Sequence, residues 1–401
     1  MAGEPERLSE SSIIYAAGAV QSFPDTVMDR FTGTLVVAAG ASVSDSGLIN
    51  GCKQLFLTLP QLAFGRVSDI VGKRRLIVAG RIVNGLSLAA LALIDSPAFL
   101  LPLIIGVNIS IAICTPAWGS LLGDYASGSK RGTILGRINS VASIGGLIAM
   151  LVALALSLGQ IGPMTKTSFV PLLWVSAALS FASIPLVVLT GELHDRGPSS
   201  KLDFRSLRRD TRLWRMLLLS FVFGVGAATA TPFFGFITVQ KLRMTVWQVA
   251  ITAAANLTCN VLTQRPMGRL MDRIGRRPVL TFSRVVMAAS PIGYALATSW
   301  LHILVIEALV GVALASWNSG QATYVLDIAP RGLRATYLAA GVAATGVSSF
   351  LGSTISGAVT QPYVAATGFA GIGTALILAG VLRLGLGFAF LTLPETRQAQ
   401  K

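Results

Sequence analysis

Several ionisable side chains stand inside runs of apolar residues: Asp25, Asp29, Arg30, Lys53 and Glu307. A charge at membrane depth is costly unless it faces water or a partner, so these residues are the first candidates for chemistry. Gln21, Asp25 and Asp29 recur every four residues and share one helical stripe. Two carboxylates one turn apart resist double ionisation, which suits the uptake and release of a proton. With Glu307 they form the candidate proton-coupling set. A plainer reading is an internal ion pair, Asp25 or Asp29 with Lys53 or Arg30, that offsets burial. Arg30 and Lys53 can equally face an anionic solute. Asn108, Thr115, Thr229, Thr231, Trp317, Asn318, Gln321 and Tyr324 add polar and aromatic groups for a pocket. Trp317, Gln321 and Tyr324 follow i, i+4, i+7, so one face is expected to stack on a ring or hydrogen-bond a hydroxyl. Hydrogen bonds between helices in a dry bundle are the simpler use of all these groups.

The elements that position these residues follow from hydropathy. Hydrophobic residues make up 53% of the chain and charged residues 12%, against roughly 25% charged in a soluble domain. Apolar runs of membrane-spanning length give twelve expected spans: 11–38, 45–65, 75–94, 98–121, 133–158, 169–190, 213–239, 247–267, 279–299, 301–325, 336–360 and 369–393. The acidic, polar stretch Met1–Glu10 does not read as a cleaved signal, so the first span is expected to stay in the mature protein. Cys52, Cys114 and Cys259 fall in apolar runs and are expected to stay free.

The chain repeats itself. Gly65-Arg66-Val67-Ser68-Asp69-Ile70-Val71-Gly72-Lys73-Arg74-Arg75 returns as Gly268-Arg269-Leu270-Met271-Asp272-Arg273-Ile274-Gly275-Arg276-Arg277-Pro278, an offset of 203 (268 minus 65). The same offset pairs Arg81 with Arg284, Asp124 with Asp327, Arg131 with Arg334 and Glu192 with Glu395. Internal repeats of apolar helices mark secondary transporters. The expected division is residues 1–190, a linker at 191–212, and residues 213–401.

Basic residues cluster after the second, fourth, eighth and tenth spans and in the linker, which predicts that this side, with both termini, is cytoplasmic. The net charge of +15 then reflects topology and anionic lipid headgroups, with no nucleic-acid partner expected.

In each repeated loop, Gly65 and Gly268 are expected to admit a close backbone, and Gly72 and Gly275 a tight turn. Asp69 and Asp272 can accept from Arg66, Arg74, Arg269 and Arg277, or sit at a helix N-terminus. These loops, the Asp124-x6-Arg131 and Asp327-x6-Arg334 stretches, and Leu393-Pro394-Glu395-Thr396-Arg397 resemble the major facilitator superfamily along essentially the whole chain. The resemblance implies an all-α integral membrane fold of twelve transmembrane helices in two pseudo-symmetric six-helix bundles. It implies that the first, fourth, seventh and tenth helices line a central cavity and that the loop cluster gates its cytoplasmic end. Arg383 would lie on a peripheral helix, snorkelling or structurally paired.

The function expected is a proton-coupled secondary transporter, by alternating access, for a small polar or anionic organic solute. The expected site is the plasma membrane, as a monomer among membrane lipids. A multidrug-type exporter of amphipathic or cationic compounds and a non-transporting receptor or scaffold are the alternatives. Ser143–Met150 lacks the Gly-Pro pair of antiporters, and Phe223–Thr229 lacks the paired glutamines of sugar transporters. No Gly-x4-Gly-Lys-Ser/Thr loop appears, and His194 and His302 are the only histidines, so no cofactor, metal or enzymatic activity is expected. The topology is tested in a variant with Cys52, Cys114 and Cys259 replaced by Ala. Single cysteines at Ser200 and Gly162 are expected to label from opposite sides of the membrane, and labelling from one side would overturn it.

Overall fold

The structure is a computed structural model that describes residues 4–125, 131–160, 162–190, 211–329 and 334–395. Among the described residues the chain is helical throughout. The first six long helices are α1 (Glu4–Ala38), α2 (Val43–Val71), α3 (Lys73–Leu93), α4 (Leu100–Tyr125), α5 (Arg131–Ser157) and α6 (Val170–Leu189). The second set begins with α7, broken into Thr211–Ala228 and Thr231–Phe236, and α8 (Val246–Ile274). It continues with α9, broken into Arg276–Val286 and Ala289–Leu296, α10 (Trp300–Ile328), α11 (Arg334–Thr367) and α12 (Phe369–Phe388). Every expected span coincides with one of these helices. Residues 191–210 of the expected linker 191–212 lie outside the described residues, and its last two, Thr211 and Arg212, already belong to α7.

All-helical structure is what an apolar solvent demands, because each backbone N–H and C=O must find its partner within the segment. Among the described residues nine helices are long and apolar enough to cross a membrane by length and composition. The three below that mark are α1, which carries Asp25, Asp29 and Arg30, and α2 and α8, which end in the charged loop motif. Large apolar side chains such as Leu86, Leu151, Leu262, Val359 and Leu378 are exposed, as a lipid-facing belt requires.

The repeat is visible in the backbone. Helices α2 and α8 start and end 203 residues apart (246 minus 43, 274 minus 71). Ser42 caps α2, where Asp45 Oδ2 accepts from the Ser42 backbone N–H at 3.1 Å. At the same offset Gln248 Oε1 accepts from the Thr245 N–H at 2.9 Å. The residue types differ but the capping box is the same device. Each helix then stops at a glycine with positive φ, Gly72 at 101° and Gly275 at 99°, a conformation that other residues resist.

We call the end bearing these glycine turns the motif end, and the other the far end. At the far end one buried core runs across both sets of helices, joining Phe31, Leu35 and Phe169 to Phe233, Ile237 and Met244. Towards the motif end the cores are separate, one around Ile77, Ala117 and Leu121, another around Phe223, Trp317 and Phe390. The two sets therefore share a buried apolar core at the far end only. The close contact is α2 against α11: a Cβ on Gly47 would lie 2.6 Å from Ser353 O and 2.9 Å from Gly357 Cα, and Ser353 Oγ donates to Gly47 O at 2.9 Å. The loop glycines Gly65 and Gly268 do not play this part. A Cβ on Gly65 would come no nearer than 4.0 Å to Pro116, and one on Gly268 would meet open space. The close approach of α2 to α11 continues to mid-helix, where a Cβ on Gly346 would lie 3.0 Å from Thr58 Cβ.

Replacing Gly47 by Leu is expected to wedge α2 from α11 and cost about 1–3 kcal/mol of stability. Gly385→Leu, where a Cβ meets nothing within 4 Å, is the control and should leave Tm unchanged. Equal Tm for the two variants in detergent would overturn the contact.

Candidate functional site

A cavity of about 180 Å³ lies where α1 meets α7, α8, α9 and α10, lined by Asp29, Arg30, Phe234, Tyr294 and Glu307 among others. It brings together three of the charged residues singled out from the sequence, two from the first half and one from the second. Lys53 of α2 reaches Asp29, its Nζ 3.2 Å from Oδ1 and 3.0 Å from the backbone carbonyl oxygen. Arg30 Nε stands 3.6 Å from Asp29 Oδ2. The Lys53 side chain is 8% exposed and that of Asp29 55% exposed, so a buried cation holds an accessible acid.

Asp25 is treated differently. Its two carboxylate oxygens accept from Arg81 Nη1 and Nη2 of α3, both at 2.9 Å, a bidentate pair that fixes geometry as well as charge. Asp25 and Asp29 thus form ion pairs, the plainer reading of this stripe, Asp29 with the expected Lys53 and Arg30 and Asp25 with Arg81 instead. Each has its own cation from a different helix, because an acid buried among helices requires local compensation. Arg81 was visible in the sequence only as a repeat identity with Arg284; nothing on α3 alone ties it to α1.

Glu307 has no ion pair among the described residues. Its carboxylate accepts from Tyr294 Oη at 2.8 Å and from Asn256 Nδ2 at 2.9 Å, both neutral donors. Phe234 packs on Tyr294 with ring centroids 4.6 Å apart and forms an aromatic wall beside this acid. Tyr294 went unmarked in the sequence; its position directly before the end of α9 offers no periodic signal.

The expected face of α10 is split. Trp317 lies under the Arg284 guanidinium, and Tyr324 is fully buried with its hydroxyl donating to Pro394 O at 3.2 Å. Asn318 and Gln321 instead line a second cavity of about 280 Å³ with Thr58 of α2 and Leu338 and Thr345 of α11. Side chains within 60° of one another on a helix still reach different neighbours when two helices flank them. Asn108, Thr115 and Thr229 donate to carbonyls of their own helices, Ile104 O, Ile111 O and Gly226 O, at 2.7, 2.8 and 2.7 Å. Thr231 opens the second segment of α7. Arg383 does not snorkel. It is 4% exposed and donates to the Ala227 and Met287 carbonyls, the latter at 3.3 Å.

At the motif end of the second half, Arg276 bridges Asp272 at 3.3 Å and Asp327 at 3.2 Å, tying α8, α9 and α10 together. Glu395 accepts from the Arg276 and Arg277 backbone N–H groups at 2.9 and 3.1 Å, an anion on the positive N-terminus of α9. Glu395 is a missed member of this cluster, marked in the sequence by its offset partner Glu192 and by the Leu393–Arg397 motif but not tied there to the loop. Arg269 and Arg277 are exposed and Arg74 is half-buried. The side chains of Arg66, Asp69, Asp124, Arg131 and Arg334 lie outside the described residues.

Comparison with known proteins agrees with this architecture. Two uncharacterized MFS-type transporters of Methanocaldococcus jannaschii are 25% identical to the chain, one over 345 residues (80% of this chain, 81% of the relative) and one over 297 residues (72% and 74%). Among solved structures, the nucleoside transporter NupG superposes with a TM-score of 0.78 at 14% identity, covering 96% of this chain and 98% of that one. A bacterial homolog to the human lysosomal transporter Spinster, inward-facing and unoccupied, gives 0.77 at 16% identity and 97% of each chain. A POT family transporter in complex with 5-aminolevulinic acid gives 0.72 at 9% identity and 94% of each. At these identities the structures speak for the fold alone. The sequence profile of the Major Facilitator Superfamily matches residues 17–258 and 237–401, and the chain, an integral membrane protein, belongs to that superfamily.

Proposed function

We propose that the protein is a proton-coupled secondary transporter of a small polar or anionic organic solute, working by alternating access in the plasma membrane with its motif end and both termini in the cytoplasm. The observation that carries this reading is the single cavity in which Asp29 and Arg30 of the first half meet Glu307 of the second. A site built from both halves changes whenever one half moves against the other, which is the requirement for moving a bound solute. The shared core at the far end and the separate cores at the motif end fit a cavity closed on the outside and approached from the cytoplasm. One of the similar structures is described as inward-facing. The nucleoside and the 5-aminolevulinic acid named for two others are small polar organic molecules.

Glu307 is the acid whose proton can come and go without breaking an ion pair, since its partners are a phenol and an amide. Asp29, exposed and held by Lys53 and Arg30, is the acid that an arriving solute or proton can compete for. Asp25 is locked to Arg81 and fixes α1 against α3. The Asp272–Arg276–Asp327 bridge serves as the cytoplasmic gate, with Asp69, the repeat equivalent of Asp272, in the same role by sequence. Membrane lipids and the solute are the partners, and the protein acts as a monomer.

The test is flux in proteoliposomes with an imposed pH gradient. Asp29→Asn and Glu307→Gln are each expected to retain part of the solute exchange activity while losing gradient-driven accumulation, because exchange needs no net proton movement. Undiminished accumulation in both variants would overturn the coupling role, and pumping of amphipathic cations outwards would favour the exporter reading. For the gate, Asp69→Asn and Asp272→Asn are expected to slow turnover roughly tenfold, a rise of ~1.4 kcal/mol in the barrier, with Kd unchanged. A loss of affinity at normal turnover would remove these aspartates from the gate.

A further inference from the structure

The repeat places one arginine of each half in an equivalent position and gives only one of them an acid. Arg81 meets Asp25 through two bonds of 2.9 Å. Shifted by 203, Arg81 becomes Arg284 and Asp25 becomes Ala228. Arg284 is 9% exposed, and its guanidinium carbon stacks 3.1 Å from the Trp317 ring centroid and 4.3 Å from that of Phe223. Its one described hydrogen bond is from Nη1 to Met287 Sδ at 3.6 Å, and its Nε has no partner. Arg383, buried nearby, donates to two backbone carbonyls and also leaves Nε without a partner.

Aromatic stacking satisfies the face of a guanidinium and leaves its edge of N–H donors open. In the central parts of the described spans Arg30, Lys53, Arg81, Arg284 and Arg383 face only Asp25, Asp29 and Glu307. The excess positive charge falls on Arg284 and Arg383, which have no acid among the described residues. The Arg383 guanidinium lies 5.8 Å from the ring of Phe234, which lines the central cavity.

We propose that Arg284, with Arg383 behind it, is a carboxylate subsite: a carboxylate of the solute takes, at Arg284, the place that the Asp25 carboxylate holds at Arg81. Two parallel N–H donors match two carboxylate oxygens, and the internal repeat displays that geometry. The inference rests on the transport reading and narrows its solute to an organic acid, with Trp317 and Phe223 holding the guanidinium plane.

The experiment is thermal unfolding of the purified full-length chain in sodium acetate, benzoate, succinate or citrate, each against sodium chloride at equal ionic strength. At least one carboxylate is expected to raise Tm by about 2–4 °C in the unsubstituted protein. Ala228→Asp, which supplies the missing acid within the chain, should raise Tm in chloride and abolish the carboxylate response. Arg284→Lys, which keeps charge and loses the two-pronged donor, should weaken that response. The proposal is overturned if no carboxylate stabilises the unsubstituted protein, or if the response persists undiminished in Arg284→Lys. It is also overturned if the response disappears in Arg30→Gln while Arg284→Lys retains it, which would place the carboxylate at Arg30. Should Ala228→Asp fail to fold, the Arg284→Lys comparison decides. Binding is read here without a pH gradient, so failure of proton coupling and failure of this subsite are separate results.

Discussion

A charge between helices in an apolar slab must be compensated where it stands, and the structure is organised around that constraint. Three acids receive three solutions. Asp25 takes a bidentate arginine, Asp29 takes a buried lysine while its carboxylate stays accessible, and Glu307 takes a phenol and an amide. Each solution recruits a different helix, so the charges that weaken the hydropathy of α1 and α2 also bind α1 to α3 and to α2. The loss of apolar transfer energy is offset by contacts that apolar side chains cannot make directionally.

Duplication has kept the scaffold and released the chemistry. The α2 and α8 capping boxes, their equal lengths and the two positive-φ glycines are held at one offset, because helix starts, helix stops and tight turns tolerate few alternatives. Of the intramembrane charges, only Arg81 repeats, as Arg284; Asp25, Asp29, Arg30, Lys53, Glu307 and Arg383 do not. Asp25 faces Ala228 across the offset, and Glu307 has Ile104 as its counterpart (307 minus 203). Two halves with one backbone and different charges can line a cavity whose walls are unlike.

The twelve helices and the repeat were legible in the sequence because both depend on local order: apolar length, basic loops, glycine turns. The charged cavity was legible in part. Asp29, Arg30 and Glu307 announced themselves by standing in apolar runs, and the pairing of Asp29 with Lys53 and Arg30 was among the readings they allowed; the partners of Asp25 and Glu307 were not, since Arg81 lies 56 residues from Asp25 and Asn256 lies 51 from Glu307. Helical periodicity reports which side chains share a face and is silent on what that face meets. That is why Trp317 and Gln321, one turn apart on α10, end in an aromatic core and a separate cavity. Of the two readings of Arg383, snorkelling or structurally paired, the structure takes the second: free backbone carbonyls near the break in α7 and the turn within α9 are its acceptors, and no sequence period marks them.

Those breaks connect the electrostatics to the mechanics. Helix α7 is interrupted between Ala228 and Thr231, and α9 between Val286 and Ala289. Interruption frees carbonyls that an unbroken helix would use itself, and in an apolar surround such groups require donors. Arg383 bonds to a carbonyl beside each interruption, Ala227 and Met287. The same segments carry Phe234 and Tyr294 into the cavity wall. A displacement of either segment would therefore alter the Arg383 contacts and the Tyr294–Glu307 hydrogen bond together. Because Asp29 and Arg30 ride on the other half, it would also change their separation from Glu307, and Coulomb energy varies inversely with that distance.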